Sequence, residues 1–528
     1  MPCCMAKIHK WCDSESVVAF RGDNGEEYCL FHAPMGKKGI SREEFNERIF
    51  KKIYESKKQT VRFCNFSGTI YEGDIDFRNF NKFNPLPIIN FTDAVFSGKA
   101  DFKGTKFEGQ AFFKKADFRG AVDLNTSIFD GYAIFEHAVF NEKAEFKESQ
   151  FNEMSSFAEA VFKKEMNLSH AKFGKETKFT HAHFHDDAYF ALTEFCAGAN
   201  LAASFSNVIF MGAIFKKKTY FGGASFKAAL FNEAVFNESV NFGGSSFDKG
   251  ATFHRVTFDD RADFGMTRFG DSIDFSEATI RGDAIFSGHL FPNGANFNGL
   301  ILKGSVIFEN IKFERVSFLK TDLRKATFIN PTWSKKYGRF VLYDELKAFE
   351  RGKKQDQEIR KDIKAVEVLY RRLKQKYKEE HDEPEVSNWH YGEKEMFRKG
   401  SPYRRYFPLS LSNLYWFSSG YGERPVRAGI FLIFLLILTS LLLAWAGLAP
   451  SQNVTDNVHG MESIYLSTIN PGGAWALFLN TLKYATFQRD FFFVPQNWIG
   501  ETIKIFAQLF IPVQTALFAL AVRNRFRR

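Results

Sequence analysis

Proline and cysteine are scarce in this sequence, with 14 prolines and 6 cysteines among 528 residues. So few cysteines argue against a small secreted module held together by disulfides. The first twenty residues, MPCCMAKIHKWCDSESVVAF, lack the apolar core of a secretory signal peptide, so we expect the N-terminus to stay in the cytosol.

The short motifs of common enzyme classes are also absent. The sequence contains no phosphate-binding loop, no Gly-x-Ser-x-Gly turn and no His-Glu-x-x-His motif. No pair of carboxylates suggests an acid–base cleft. We therefore expect no enzymatic activity.

Phenylalanine, by contrast, is present in great excess, with 65 residues, and it is regularly spaced. From about residue 66 to 328, large apolar residues recur at alternating steps of five and six, and a small residue stands two positions before each. One stretch places the large residues at Phe102, Phe107, Phe113, Phe118, Leu124, Phe129, Phe135 and Phe140. This spacing fits neither an α-helix nor a plain strand. It predicts a coil with flat sides and tight corners, in which each side buries one large and one small residue.

Four such sides give a coil of roughly 22 residues, and coils stack at the strand spacing of about 4.8 Å. About eleven coils would form a rod near 50 Å long, with a ladder of stacked phenylalanine rings inside.

Units such as ADFKG, ADFRG, AVFNE and ANFNG resemble the pentapeptide-repeat family. The resemblance implies a mainly β fold, a right-handed quadrilateral β-helix, over residues 60–330. Phe replaces the Leu of the family's commoner unit. Some members mimic DNA, which needs a strongly acidic rod. Here acidic and basic residues nearly balance, so we expect neither DNA mimicry nor nucleic-acid binding.

Four of the cysteines precede residue 30. In a reducing compartment such clustering favours a metal over disulfides. We predict a small structural zinc knuckle within residues 1–58, in which Cys4, Cys12, Cys29 and His32 are the ligands. Cys3 or His9 could replace one of these ligands. The alternative is a set of reduced, partly buried thiols. A short helix from about residue 43 to 57 should follow.

A second group of metal-ligand types lies within the repeats. It consists of His181, His183, His185, Asp186 and Asp187. The histidines alternate with inward-facing residues, so they should point outwards. They form either a metal site or a solvated face, and the solvated face is the commoner arrangement.

The segment 331–424 is predicted to be a cytosolic helical linker. Steps of four and three residues separate Ile359, Ile363, Val366, Tyr370, Leu373 and Tyr377, as in a heptad seam. Trp389, Met396 and Phe397 could supply the facing surface of a helical hairpin. We favour this packing within the chain over an oligomerisation bundle.

The segment 425–528 is predicted to be a membrane domain with spans at about 429–449 and 498–522. The apolar stretch 474–487 is too short to cross and is predicted to be re-entrant or interfacial. Basic residues precede the first span and follow the second, at Arg404, Arg405, Arg424, Arg427, Arg523, Arg525, Arg527 and Arg528, whereas Asp456 and Glu462 lie between the spans. The positive-inside rule therefore places both termini in the cytosol.

Polar residues in the second span suggest a pore. Glu501, Lys504, Gln508 and Thr515 fall on one helical face, and we predict that they line it. A charge at the bilayer centre costs about 2.5–3.5 kcal/mol, so such a face should meet protein or water. Alternatively, Glu501 and Lys504 pair near the outer interface. Gly420-Tyr421-Gly422 is not a potassium filter, because it precedes the first span.

The segments VLYRRLKQKYKEE, HYGEKEMFRK, SGYGERP and ALFALAVRNRFRR together resemble a bacterial family of membrane-anchored pentapeptide-repeat proteins with an ion-channel-like C-terminal unit. The resemblance implies a multi-pass protein of the bacterial inner membrane. We expect a homo-oligomeric ion channel whose cytosolic solenoid is a sensor or partner platform. The alternative is a membrane-tethered protein-interaction scaffold without conductance. Expected partners are the bilayer, further copies of the chain and a protein bound to the solenoid.

Overall fold

The chain forms two compact units in a computed structural model. The structure describes residues 3–14, 18–288, 293–336, 338–350, 356–400, 409–451, 471–489 and 491–526, together with Phe291 and Phe407. The first unit comprises residues 1–334 with 342–344, and the second comprises residues 335–341 with 345–528.

Short parallel strands between residues 63 and 329 build the four sides of a solenoid. One side is a sheet of thirteen strands: Phe63–Asn65, Ile88–Asn90, Ala111–Phe112, Ala133–Ile134, Ser155–Ser156, Thr177–Lys178, Ala199–Asn200, Thr219–Tyr220, Val240–Asn241, Ala262–Asp263, Ala284–Ser287, Val306–Glu309 and Ala326–Ile329. A second side is a sheet of ten: Lys106–Phe107, Ile128–Phe129, Gln150–Phe151, Lys172–Phe173, Glu194–Phe195, Ile214–Phe215, Val235–Phe236, Thr257–Phe258, Thr279–Ile280 and Ile301–Leu302.

The other two sides belong to one sheet of nineteen strands, because three long strands continue from one side onto the next. Its strands are Ile70–Tyr71, Ile75–Asp76, Val95–Phe96, Ala100–Asp101, Asp117–Phe118, Val122–Asp123, Val139–Phe140, Ala144–Glu145, Val161–Phe162, Met166–Asn167, His183–Tyr189, Ser204–Ile209, Ser225–Leu230, Ser246–Phe247, Ala251–Thr252, Arg268–Phe269, Ile273–Asp274, Ala295–Asn296 and Val316–Ser317.

The core of the solenoid is a set of phenylalanine ladders. Phe264 is fully buried and stacks face to face on Phe242, with ring centroids 5.0 Å apart, and on Phe286, at 4.8 Å. The eight large residues quoted from the sequence are all buried. The predicted mainly β, four-sided solenoid is therefore confirmed. Its thirteen-stranded side makes it longer than the predicted eleven coils, roughly 58 Å at the strand spacing.

The eleven-residue period comes from the corners. A residue with positive φ recurs every eleven positions, for example at Asp93, Gly104, Lys115 and Thr126. At the first of these corners, the amide of Ala94 donates to the carbonyl of Phe91 at 3.0 Å. This geometry is that of a type II turn, whose third residue takes a left-handed conformation. One such turn therefore follows every second large residue.

The segment before the repeats covers the first coil. It contains two 3₁₀ turns, a β-hairpin and helix α1, at Cys4–Lys7, Lys10–Ser14, Val18–Arg21 with Glu27–Cys29, and Arg42–Ser56. The Ser41 hydroxyl caps α1 by accepting from the amide of Glu44 at 3.2 Å. On α1, the ring of Phe50 contacts those of Phe77 and Phe80 in the first coil. The segment thus shields the end of the solenoid.

The second unit is helical. After the short strands Ser334–Lys336 and Arg339–Val341, its helices are α2 (Tyr343–Glu350), α3 (Asp356–Glu379), α4 (Glu383–Lys399), α5 (Leu411–Ser419), α6 (Pro425–Ala446), α7 (Pro471–Ala485) and α8 (Trp498–Phe526). Two further strands, Leu448–Pro450 and Phe493–Pro495, pair antiparallel. Helices α6 and α8 are each long and apolar enough to cross a membrane.

Helices α3 and α4 pack against each other as a hairpin. The predicted seam residues from Ile363 to Tyr377 are buried, and so are Trp389 and Met396. Phe397, which was predicted to join this surface, is 38% exposed, so its ring lies outside the seam. The side chain of Ile359 lies outside the described residues, as do Arg404, Arg405, Asp456, Glu462, Arg527 and Arg528.

Candidate functional site

A cluster of three thiols and one imidazole lies in the N-terminal segment. It consists of Cys3, Cys12, Cys29 and His32, all buried, and their ligand atoms lie within 4.8 Å of one another. Cys29 Sγ is 3.1 Å and Cys3 Sγ 3.8 Å from Nδ1 of His32. Three sulfur ligands and one nitrogen are a common donor set for structural zinc. The cluster could therefore hold a metal ion.

His32 is oriented as a ligand. Its Nε2 lies 3.0 Å from the carbonyl oxygen of Ser67. Since a carbonyl only accepts, Nε2 carries the proton and Nδ1 presents its lone pair to the thiols. Burial lowers the pKa of His32 to about 4, so the ring is neutral, as metal binding requires. Burial also raises the pKa of the Cys29 thiol to about 11, so a metal would displace a proton there.

The structure places Cys3 in the cluster instead of the predicted Cys4. Cys3 precedes the first 3₁₀ turn in an extended conformation, with φ −48° and ψ 135°, whereas Cys4 is the first residue of that turn. Neighbouring side chains at such a boundary point in different directions. Cys4 is only partly buried and is hydrogen-bonded to Tyr28, a contact that the sequence pattern does not reveal.

The cluster is joined directly to the first coil of the solenoid. The carbonyl of Ser67 also accepts from the indole Nε1 of Trp11 at 3.0 Å, and the amide of Ile70 donates to the carbonyl of Phe31 at 2.9 Å. Gly68 has a φ of +71°, and a Cβ there would lie 2.4 Å from the ring of His9. A metal in this position would therefore stabilise the cap of the solenoid.

Lys38 is a structural residue that the sequence analysis missed. It is almost fully buried, and its ammonium group donates to the carbonyls of Leu30 at 2.7 Å and Ala33 at 3.2 Å. These contacts hold the turn that carries Cys29 and His32. Lys38 directly follows Lys37 in a polar stretch, and such a pair gives no sequence signal for this role.

The histidine group of the solenoid is a solvated face. His181, His183 and His185 are exposed, as predicted, and His181 occupies a left-handed corner with φ 57°. The carboxylate of Asp187 accepts from Asn207 at 2.8 Å and from the hydroxyl of Tyr189 at 3.2 Å. These hydrogen bonds give the acid a structural role in the sheet.

Three strands of the solenoid, His183–Tyr189, Ser204–Ile209 and Ser225–Leu230, are longer than the others and continue from one side onto the next. Phe184, Phe205 and Phe226 stack in register at intervals of 21 residues, one fewer than in the regular coils. His183–Tyr189 still pairs at the regular interval of 22 residues with Val161–Phe162 and Met166–Asn167, so the shorter interval begins with Ser204–Ile209.

Beside the three long strands lies an exposed apolar patch, which consists of Leu192, Met211, Ile214 and Leu230. These side chains are 55%, 50%, 38% and 40% exposed. Leu192 lies beside Met211, because its amide donates to the Met211 carbonyl, and Ile214 lies beside them, because its amide donates to the carbonyl of Thr193. Leu230 pairs with Ile209, two residues before Met211. Contiguous exposed apolar surface commonly marks an interaction site.

The predicted stripe on α8 lies beside the face that is buried against the neighbouring helices, and Lys504 contacts α7, where its ammonium group is 5.5 Å from the centroid of the Tyr484 ring. The buried face of α8 consists of Gly500, Ala507, Ile511, Gln514 and Ala521. Glu501 and Lys504 pair with each other at 3.3 Å. Gln508 is half-buried, and Thr515 is exposed and donates to its own helix at Ile511.

Two amides that the sequence analysis did not single out hold the helices together. Gln514 is buried, and its Nε2 donates to the carbonyls of Ser418 at 3.0 Å and Ala428 at 2.9 Å. Asn480 of α7 accepts from the amides of Phe492 and Phe493 and donates to the carbonyl of Phe493. Asn480 therefore satisfies the backbone of a non-helical segment between α7 and α8, as buried backbone requires.

Gly420-Tyr421-Gly422 forms a tight elbow between α5 and α6. All three residues have positive φ, at 57°, 62° and 73°. The Tyr421 hydroxyl donates to Glu395 at 3.0 Å and accepts from Arg398 Nε at 3.1 Å. The elbow therefore ties the start of α6 to α4.

A comparison with family models matches this chain to the family "Pentapeptide repeats (9 copies)" over residues 91–139 and 135–183. The matched residues lie within the four-sided solenoid, which therefore contains pentapeptide repeats, and the chain also carries two candidate membrane helices. Searches of curated proteins and of solved structures found no match.

Proposed function

We propose that this protein is a membrane-tethered interaction scaffold, in which α6 and α8 hold the solenoid at a membrane and the apolar patch binds a partner protein. The observation that carries the proposal is the patch itself. Its four residues are exposed and lie close together, and they border the three long strands of the solenoid.

The exposed faces of the two long helices support the tether. On α6, Ile430, Ile433 and Phe434 are each more than half exposed, and on α8 Phe506 and Leu509 are as well. Side chains of this kind are stable when lipid surrounds them. With Arg424, Arg427, Arg523 and Arg525 near the ends of the helices, the positive-inside rule favours both termini in the cytosol, and the resemblance to a bacterial membrane-anchored family favours the inner membrane.

The Cys3, Cys12, Cys29 and His32 cluster supplies a structural zinc site in this proposal. Its donor set and the proton on Nε2 of His32 support zinc. The ion would fix the N-terminal segment on the first coil and so cover a sheet edge that could otherwise pair with other chains.

Site-specific photo-crosslinking tests the scaffold. A photoreactive residue at Met211 should crosslink in cells to a defined protein, whereas one at Lys147, an exposed site on a polar part of the solenoid, should not. The Leu192→Asp variant should remove the product from the Met211 probe, since a charge opposes apolar burial. If both probes give the same products, or neither gives any, the patch is not a binding surface.

A homo-oligomeric channel is the second candidate, and the position of α7 favours it. This short helix lies between the two long ones, the order found in two-span channels with a pore helix. Two spans cannot enclose a hydrated pore alone, so several copies would be needed. Purified protein in liposomes should then conduct ions, and Gln508→Leu should reduce the flux by drying the path. A scaffold gives no flux in either form.

A further inference from the structure

An apolar groove with one cationic side chain lies where α5 meets the start of α6. It has a volume of about 610 Å³ and is lined by Trp416, Phe417, Val426, Arg427, Ile430, Phe431 and Phe434. Aromatic and aliphatic carbon forms most of its walls, and among the described residues of the lining Arg427 is the one that carries a charge. In the proposed topology this end of α6 lies at the cytosolic surface of the membrane.

Arg427 is held at the groove by its own contacts. Its Nη1 donates to the carbonyl of Trp416 at 3.1 Å, and its guanidinium lies over the Trp416 ring, 5.4 Å from the centroid. On the same ring, the guanidinium of Arg398 lies at 4.7 Å. A guanidinium has five N–H donors in a planar fork that suits phosphate. Arg427 therefore keeps donors for an anionic ligand.

Three further arginines lie near this end of the helices, together with the acidic Glu423. Arg424 immediately precedes α6, and the C-terminal end of α8 lies alongside the elbow, because Asn524 donates to the carbonyl of Gly422 at 3.1 Å. This contact brings Arg523 and Arg525 to the same end of the helix pair. Juxtamembrane basic residues each contribute about 1 kcal/mol of attraction to an anionic leaflet.

We infer that the groove binds an anionic phospholipid, with an acyl chain along Ile430, Phe431 and Phe434 and the phosphate at Arg427. The apolar walls match a hydrocarbon chain, and the single cation at one end matches a negatively charged headgroup. The inference rests on the proposed function in one respect, since it requires that α6 lies in a membrane.

Quenching by brominated lipids tests the site in the full chain. The protein is reconstituted in vesicles of phosphatidylcholine and phosphatidylglycerol. In one mixture the acyl chains of phosphatidylglycerol are brominated, and in the other those of phosphatidylcholine are. The emission of Trp416 is taken as the difference from the Trp416→Phe variant. Quenching should be stronger with brominated phosphatidylglycerol, and Arg427→Gln should lower this preference about fivefold. Arg427→Lys, which keeps the charge, should retain most of it.

The matched control is Arg523→Gln, which removes the same charge from the same end of the helices but does not line the groove. It should change the preference less than Arg427→Gln does. Equal effects would show general surface attraction and overturn the site. The groove would instead be occupied by a second copy of the chain if neither brominated lipid quenches Trp416 and copies carrying Ile430→Cys form a disulfide with each other. That result would also overturn the lipid site. Recovery of the chain in the soluble fraction would refute the membrane tether itself.

Discussion

At the scale of single residues, each coil of the solenoid depends on one large side chain per side. Phe264→Ala should lower the free energy of unfolding by about 3–5 kcal/mol, because it opens a cavity between two stacked rings. Thermal and urea unfolding of residues 1–334 would measure this loss. Asp263→Ala, whose carboxylate lies on the outside and accepts from Gly265, should cost far less. Comparable losses for the two variants would contradict the ladder.

Glu395 makes the elbow sensitive to acid. Burial opposes its charge, but hydrogen bonds and charges from Arg398 and Lys399 hold its pKa below the usual range. A carboxyl whose folded pKa is lowered stabilises the fold above its unfolded pKa, and that stability is lost as the pH falls through the folded pKa.

Glu395→Gln should therefore destabilise the second unit by about 3–5 kcal/mol at neutral pH, because Arg398 loses its partner. The difference from wild type should shrink below about pH 4.5. Denaturant unfolding at several pH values measures it. The control is Glu379→Gln at the exposed end of α3, which should stay within about 0.5 kcal/mol. A pH-independent loss from Glu395→Gln would refute the assigned role.

At the scale of elements, the N-terminal segment should fold around one metal ion. Elemental analysis of the purified protein should find about one zinc per chain, and Cys29→Ser or Cys3→Ser should remove it. Cys4→Ser should keep the metal, because the Cys4 thiol lies toward Tyr28. Retention of zinc by Cys3→Ser together with its loss from Cys4→Ser would restore the ligand set predicted from the sequence.

Cysteine labelling of α8 separates the two candidate functions. In a background without native cysteines, Gln508→Cys should react with a water-soluble thiol reagent if the stripe lines water. Phe506→Cys should not react, because it lies about 160° away around the helix. The scaffold predicts that both positions are protected in intact membranes. Labelling of Gln508→Cys alone, with measurable flux, would place the channel ahead of the scaffold.

The repeating elements could be predicted because their signal is local and periodic. Each side of a coil repeats the same pair of inward-facing residues, one small and one large. The spacing of the phenylalanines therefore specifies where each side lies, where the chain turns and which residues stack between coils. The three long strands escaped prediction because the first keeps the regular spacing and the intervals of 21 residues from Phe184 to Phe205 and from Phe205 to Phe226 disturb the period only slightly. The roles of Cys3, Lys38 and Gln514 depend on contacts with segments distant in sequence, and no pattern at those positions indicates them.

At the scale of the whole molecule, we propose that two spans tether the solenoid to a membrane and that both termini lie on the same side of it. The direct test is labelling of single cysteines by a membrane-impermeant maleimide in sealed right-side-out vesicles. The positions are Lys147 on the solenoid, Gln488 between α7 and α8, and Phe526 at the end of α8, all of them exposed. With both termini inside such vesicles, we expect Gln488→Cys to be labelled at once and Lys147→Cys and Phe526→Cys to be labelled only after lysis. Equal labelling of all three in intact vesicles would contradict it.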